Sequence, residues 1–180
     1  MQRILVIGSS GTGKSTLARQ LASRLGLPII HLDKEYWLPG WVAPEPAAWQ
    51  ARVESLAARE AWVMDGNYSG TFAIRVPRAD AIVWLDLPRR IYFPRAVWRI
   101  AKSYGRVRPD LAPGCPEQVD LGFLFKWVWT YPTRSRPRTL SLIESLQGRM
   151  ALVVLRTPRQ VRAFVEGLPG SLAPPEAEAA

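Results

Sequence analysis

The stretch RILVIGSSGTGKSTLARQLASRLG, Arg3 to Gly26, decides the fold. Its first part, Arg3 to Ile7, is a short apolar and β-branched run that stops at Gly8, the pattern of a buried strand. From Lys14 to Leu25, Leu17, Leu21 and Leu25 recur every fourth residue, an amphipathic helix closed by Gly26. Between them, Gly8-Ser9-Ser10-Gly11-Thr12-Gly13-Lys14-Ser15 matches G-x-x-x-x-G-K-[ST] in the required strand–loop–helix context. Each part of that loop has a chemical use. Its glycines let successive backbone N–H groups face one concavity, and the helix start adds the positive end of its dipole. Lys14 is placed to reach the β- and γ-phosphates of ATP, and the Ser15 hydroxyl to meet Mg²⁺. The expected nucleotide contacts are Gly8, Ser9, Ser10, Gly11, Thr12, Gly13, Lys14, Ser15 and Thr16.

Outward from this loop, short apolar runs alternate with helical patterns. Strands are expected over residues 28–32, 61–64, 81–85 and 149–155, and helices over 45–60, 88–103, 118–131, 136–147 and 158–166. Within 88–103, Pro94 marks either a kink or the true helix start. The alternation predicts an α/β domain with a parallel sheet. Three of the strands end in a carboxylate, Asp33, Asp65 and Asp86, and ligands of such sheets sit beyond the carboxyl ends of the strands. Asp65 and Asp86 both suit the metal's second contact, and Asp65 is favoured because the tight turn Gly66-Asn67-Tyr68 follows it. Asp86 precedes Leu87-Pro88 and reads equally as a helix-start acceptor. Asp33 is placed to orient an acceptor hydroxyl or take its proton, to hold a water of the Mg²⁺ shell, or simply to close a turn. Tyr36, Trp37 and Trp41 wall a pocket or cover the core. His31, the only histidine, reads as structural.

The chain has 180 residues, a length that predicts one domain. One cysteine, Cys115, excludes an internal disulfide framework. No long apolar run and no secretory leader pattern are present, so the expected location is cytoplasmic, with no membrane partner. The net charge of +9 is concentrated: residues 75–138 carry 13 basic and 5 acidic side chains, and 11 of the 13 are arginine. Arginine's planar fork matches phosphate oxygens, so this stretch points to an anionic partner, either a nucleotide's phosphates or a nucleic-acid backbone. Arg95 and Arg99 share a helix face, Arg106 and Arg108 lie in the Gly/Pro-rich loop 104–117, and Arg134, Arg136 and Arg138 follow it. A loop flanked by arginines suits a lid that closes over ATP and delivers cations. The aromatic run Phe123 to Tyr131 reads as lid packing, with a stacking surface for single-stranded nucleic acid as the alternative. The expected organisation is one domain over 1–168, a lid insertion about 88–147 and a flexible tail over 169–180.

Several pieces together carry a family resemblance: residues 3–33, the Trp37–Trp41 turn WLPGW, WVMDGNY, RADAIVWLDLPR, RPDLAPGCPE and RSRPR. They resemble the adenylate-kinase-like P-loop proteins labelled DNA topology modulation protein, FlaR-like. The resemblance implies a five-stranded parallel sheet in the order 2-3-1-4-5, with ATP on the phosphate loop and Asp65 as the metal aspartate. More loosely the chain resembles nucleoside monophosphate kinases and shikimate-type kinases. In the adenylate kinase pattern Asp-Gly-Phe-Pro-Arg follows the third strand. Here Asn67-Tyr68 stands after Asp65-Gly66, without the arginine that contacts an acceptor phosphate. Arg156-Thr157-Pro158 takes the place where such kinases pass the adenine ring. The expected activity is transfer of the ATP γ-phosphate to a small nucleotide-like or hydroxyl-bearing acceptor. Lys14, Asp33, Arg99, Arg106 and Arg138 are the expected catalytic residues, Ser15 and Asp65 the Mg²⁺ ligands, and Arg156 an additional ATP contact. The alternative is an ATP-switched regulator of DNA topology that binds nucleic acid, weakly at least, through 75–138.

Overall fold

A computed structural model describes residues 1–146 and 150–168. The expected flexible tail and the first residue of the expected fifth strand, Arg149, lie outside the described residues. Five strands, β1 (Arg3–Gly8), β2 (Ile29–His31), β3 (Trp62–Asp65), β4 (Ala81–Leu85) and β5 (Ala151–Leu155), form one sheet in the order β2-β3-β1-β4-β5. All four pairings are parallel. The parallel α/β sheet is what the alternation of elements predicted, and the strand order is the one the family resemblance implied.

A central strand covered on both faces must be apolar at every position, which is why β1 reads as a continuous run rather than an alternation. Ile4 and Val6 pack with Leu17, Ala18 and Leu21 of α1 (Lys14–Leu25) and with Val161 and Phe164 of the last helix, Pro158–Glu166. Leu5 and Ile7 point the other way, into Trp49, Val53 and Leu56 of the helix Pro46–Ala57 and into Phe72. A third cluster joins Tyr92, Ala96 and Ile100 of the helix Arg89–Ser103 to Leu124, Val128 and Tyr131, all within the stretch expected to form the lid. The helices are numbered in chain order: α2 is Leu32–Tyr36, α3 Pro46–Ala57, α4 Phe72–Arg75, α5 Arg89–Ser103, α6 Tyr131–Arg134, α7 Arg136–Ser145 and α8 Pro158–Glu166. No helix of the described residues is long and apolar enough to cross a membrane.

The register positions the site. Val6 and His31 both stand opposite Asp65, and Gly8 stands opposite Leu85, so the phosphate loop, Asp65 and the β4–α5 turn leave the sheet at one level. Several expectations shift. β2 is an edge strand with three paired residues, and the chain enters α2 at Leu32, so Asp33 sits in the first turn of a helix rather than at a strand end. α5 runs straight through Pro94, which lies on its exposed face where water can serve the backbone bond that proline forfeits. The expected single helix over 118–131 is a π-helical segment, Phe123–Trp129, followed by the short α6. Asp120 precedes the segment and its Oδ1 accepts the Phe123 N–H at 2.8 Å, and the segment buries Leu124 and Val128 against α5. The Gly/Pro-rich stretch 104–117, expected to be mobile, is closed on itself: the Gly105 N–H donates to the Glu117 carbonyl at 2.8 Å, and the Glu117 N–H to the Arg106 carbonyl at 2.9 Å.

Candidate active site

The phosphate loop takes its shape from close packing on both sides. Gly8 has a φ of 149°, and a Cβ there would stand 2.7 Å from the Leu85 carbonyl oxygen. Gly11 has a φ of 82°, and its Cβ would reach within 2.1 Å of the Tyr92 carbonyl oxygen and 2.8 Å of the Ala96 nitrogen. The loop therefore rests directly on the backbone of α5, and only glycine fits between them. Thr12 closes the loop from inside, its hydroxyl donating to the Ser9 carbonyl at 2.8 Å. The Lys14 ammonium folds back over the loop and donates to the same carbonyl at 3.0 Å. Burial pushes the Lys14 pKa down, and the carboxylates of Asp65 and Asp33 pull it back up. A cation that is poorly hydrated yet held by anions is available to a phosphate without a large desolvation cost at the moment of binding.

Asp65 ends β3 beside this lysine. Its Oδ2 lies 3.0 Å from His31 Nδ1, and both side chains are buried. A carboxylate only accepts, so Nδ1 carries the proton. Burial pushes the Asp65 pKa up, but His31, Lys14 and the Ser15 hydroxyl outweigh it and hold the carboxyl below its usual range. The other oxygen, Oδ1, is buried with no hydrogen-bond partner. A buried ionised oxygen without a partner is costly, and a metal-bound water there would supply the missing donor. The Ser15 hydroxyl and Asp65 Oδ1 thus fit the two sides of a Mg²⁺ shell. Asp86 has no such vacancy: both its oxygens are engaged by Arg136, whose Nε and Nη2 donate to them at 2.8 and 2.9 Å. In Asp65→Asn the Mg²⁺ concentration for half-maximal ATP turnover should rise about tenfold or more. Asp86→Asn should leave that concentration unchanged and lower the melting temperature instead. A Mg²⁺ titration of turnover and a thermal melt for each variant measure both.

Asp33 faces the same space from the β2 side. The Tyr68 hydroxyl donates to its Oδ1 at 2.7 Å. Burial and the neighbouring Asp65 push the Asp33 pKa up, against the pull of Tyr68, Lys14 and Arg108. The carboxyl is thus a stronger base than an ordinary aspartate. Tyr68 is held by the turn after β3 at a positive φ of 34°. In the same turn Asn67 Oδ1 accepts the Gly8 N–H at 2.8 Å, joining this turn to the phosphate loop. Tyr36 packs edge-on against Trp37 and Trp49, with ring centroids 4.8 and 4.9 Å away, and Trp37 against Trp41 at 5.3 Å. Trp49 is buried core, while Tyr36, Trp37 and Trp41 stay half-buried, as does Tyr68, the ring that meets Asp33.

The lid arginines divide into two groups. Arg99 and Arg108 are half-buried and share the buried Glu117, with N···O separations of 3.7 and 2.7 Å, the first too long and the second out of line for a hydrogen bond. Arg108 also donates to Asp110 at 2.9 Å. Burial and Arg108 push the Arg99 pKa down, and Glu117, Asp110 and Asp33 push it up. Arg106 and Arg138 are exposed and make no ion pair among the described residues. Arg108 and Arg136, next to them in sequence, are the paired members. Arg156 is largely exposed, 4.0 Å from Asp86, and lines a cavity of about 490 Å³ with Arg136, Tyr92 and Pro88. The lid also grips the turn after α2: the Gly40 N–H donates to the Gly114 carbonyl at 2.9 Å, Trp41 Nε1 to the Pro116 carbonyl at 2.9 Å, and the Cys115 thiol to the Leu38 carbonyl at 3.2 Å. Of the lid aromatics, Trp127 and Trp129 are exposed, and each has a guanidinium stacked over its ring, Arg134 at 4.1 Å and Arg89 at 4.0 Å.

The sequence places Arg108 in the 104–117 loop and Asn67 and Tyr68 in the turn after Asp65, but the partners of these three residues, and the pairing of His31 with Asp65, have no signal in the linear sequence. The DGNY turn and the R-V-R spacing are the only local hints to the first three.

A family model described as ATPase family associated with various cellular activities (AAA) matches residues 4–64. The "Uncharacterized protein YqaC" of Bacillus subtilis (strain 168) is 31% identical over 160 residues, 86% of this chain and 87% of that protein. A gluconokinase from Sinorhizobium meliloti 1021 is similar in structure with a TM-score of 0.50 and 20% identity, covering 92% of this chain and 91% of its own. A shikimate kinase from Bacteroides thetaiotaomicron gives 0.52 and 17%, over 92% and 94%. The shikimate kinase from Acinetobacter baumannii in complex with shikimate gives 0.58 and 17%, over 92% and 89%. At these identities the likeness is one of fold, and the fold is that of the P-loop kinases.

Proposed function

This chain belongs to the same family as the Bacillus subtilis protein YqaC and has the P-loop kinase fold, and on that premise we propose that it is an ATP-dependent kinase of a small hydroxyl-bearing acceptor. The observation that carries the reading is Asp33. It is a carboxyl made more basic by its surroundings and aimed by Tyr68 into the space that Lys14 and Asp65 share. A hydrolase needs only to admit water there. A second, oriented base beside half-buried aromatic rings suits an acceptor whose hydroxyl must be held in line with the γ-phosphorus. In the reaction the acceptor oxygen bonds to the γ-phosphorus, the bond to the β,γ-bridging oxygen breaks, ADP leaves and the hydroxyl proton passes to Asp33. Mg²⁺, when bound, supplies charge neutralisation on the β- and γ-oxygens. Lys14 and the loop N–H groups hold the phosphates. Arg99 and Arg108 suit the transferring oxygens, and the exposed Arg106 and Arg138 serve only if the lid moves further on binding nucleotide. Arg156, which lines the cavity beside Asp86, is assigned to the base of ATP. The lid's grip on residues 38–41 closes the acceptor side as well, which keeps water out.

The finer family assignment, to the FlaR-like DNA topology proteins, rests on the sequence resemblance alone. Stacked guanidinium groups already occupy a face of Trp127 and of Trp129, which makes them poor stacking platforms for bases. The experiment incubates the protein with γ-labelled ATP, Mg²⁺ and a panel of sugars, polyols, nucleosides, nucleoside monophosphates and sugar acids. Parallel titrations use single- and double-stranded DNA at physiological salt. Label transferred to an acceptor faster than it is released as inorganic phosphate is the expected result. Label that appears only as inorganic phosphate overturns the kinase reading, and tight DNA binding at physiological salt replaces it with the regulator.

A further inference from the structure

Arg75 is the largest buried charge that the mechanism above leaves unused. It closes α4, is 0% exposed and has no carboxylate partner among the described residues. Its guanidinium instead collects the backbone of the turn after β3. Nη1 donates to the Gly66 carbonyl at 3.2 Å, Nη2 to the Asn67 carbonyl and, at 3.2 Å, to the Tyr68 carbonyl, and Nε to the Thr71 hydroxyl at 3.0 Å. The Phe72 ring lies under it, 5.0 Å from centroid to guanidinium carbon. The site has a cost, since burial pushes the guanidinium down to about 9. A chain that needed only to fill this space would do so more cheaply with an apolar side chain. An isolated cation held by three consecutive carbonyls makes them converge on one point, whereas the carbonyls of an extended backbone alternate in direction and those of a helix run parallel to its axis. The turn accordingly holds Gly66 at a φ of 140° and Tyr68 at 34°.

The side chains of that turn face away from Arg75 and into the active site. Asn67 holds the first N–H of the phosphate loop, at Gly8, and Tyr68 holds Asp33. We infer that Arg75 is the positioning residue for both halves of the site: one buried guanidinium sets the turn from which Asn67 shapes the nucleotide loop and Tyr68 aims the acceptor base. The Tyr68 half rests on the kinase reading, and the Asn67 half requires only that the loop bind a nucleotide. The two halves are read separately below.

The first measurement is the affinity for a non-hydrolysable ATP analogue with Mg²⁺, by calorimetry, in a double-mutant cycle. Arg75→Met and Asn67→Ala should each weaken binding about fivefold, the scale of one oriented hydrogen bond. The double variant should be no weaker than Arg75→Met alone, because both act through one contact. Losses that multiply, or an Arg75→Met protein that binds as the wild type does, overturn the inference. The second measurement is ATP turnover. Arg75→Met should lower kcat as Tyr68→Phe does, and should cost nothing further in the Tyr68→Phe background. Arg75→Lys, which keeps the cation with three donors, should recover part of both losses. A protein whose wild type binds the analogue but never turns over ATP disproves the kinase reading while the affinity cycle still decides the role of Arg75. Because Arg75→Met also takes the guanidinium from the Gly66 and Asn67 carbonyls, while the Tyr68 carbonyl keeps the Thr71 N–H and hydroxyl, both at 2.8 Å, Thr71→Val, which removes the Nε partner and that one hydroxyl bond, serves if that variant fails to fold. It should lose affinity about twofold in a cooperatively melting protein, and unchanged affinity there counts against the inference.

Discussion

Lys14→Ala should abolish ATP turnover to about one part in a thousand or less, while the far-ultraviolet circular dichroism spectrum stays that of the wild type. The scale follows from losing a preorganised cation on oxygens whose charge grows in the transition state, in a site partly cleared of water. The fold should survive because Lys14 contributes little to it. Its one hydrogen bond goes to the Ser9 carbonyl, which the Thr12 hydroxyl also serves, and burial disfavours its charged form. The loop keeps its shape through Gly8 and Gly11 packed on β4 and α5, and through Asn67. Turnover that persists in this variant removes the phosphate loop from the mechanism.

Asp33→Asn should separate activity from stability. Loss of a positioned base costs roughly a hundredfold to ten-thousandfold in phosphoryl transfer. The melting temperature should rise at neutral pH. The folded-state pKa of Asp33 lies above its ordinary value because burial and Asp65 oppose ionisation. For a carboxyl raised in this way the folded protein is penalised once pH exceeds the ordinary value, and the penalty is complete above the folded value. Asparagine carries no such penalty and can still accept from Tyr68. The advantage of the variant should therefore shrink as the pH is lowered, and disappear where aspartate is protonated in both states. Melts of both proteins across that pH range, beside initial rates with the best acceptor, give the comparison. A variant that melts below the wild type at neutral pH contradicts the account of Asp33 as a strained base.

Much of the frame was legible from local pattern. The strand, loop and helix of Arg3–Gly26 announce themselves because the apolar period changes from continuous to every fourth residue across a glycine-rich break. The segments around β3, β4 and β5 are recognisable for the same reason. The boundaries near Asp33 and over 118–131 were not, because an edge strand of three residues and a π-helical turn are settled by what packs against them. Arg106 and Arg108 illustrate the limit within the lid. They are two residues apart in one loop and chemically identical, yet one is exposed and the other is tied to Asp110 and Glu117.

The sequence by itself determined the α/β class and the place of the phosphate-loop motif between β1 and α1, because the loop motif and the apolar periods are short-range properties that each segment carries alone. Only the tertiary structure decided how the carboxylates are used. His31 meets Asp65, Tyr68 meets Asp33, Asn67 meets Gly8 and Arg136 meets Asp86 across separations of 34, 35, 59 and 50 residues. No local period encodes such pairs. They follow from the sheet order, which sets β3 between β2 and β1, and from the low dielectric of the strand ends, where each buried charge must find a partner or shift its proton affinity.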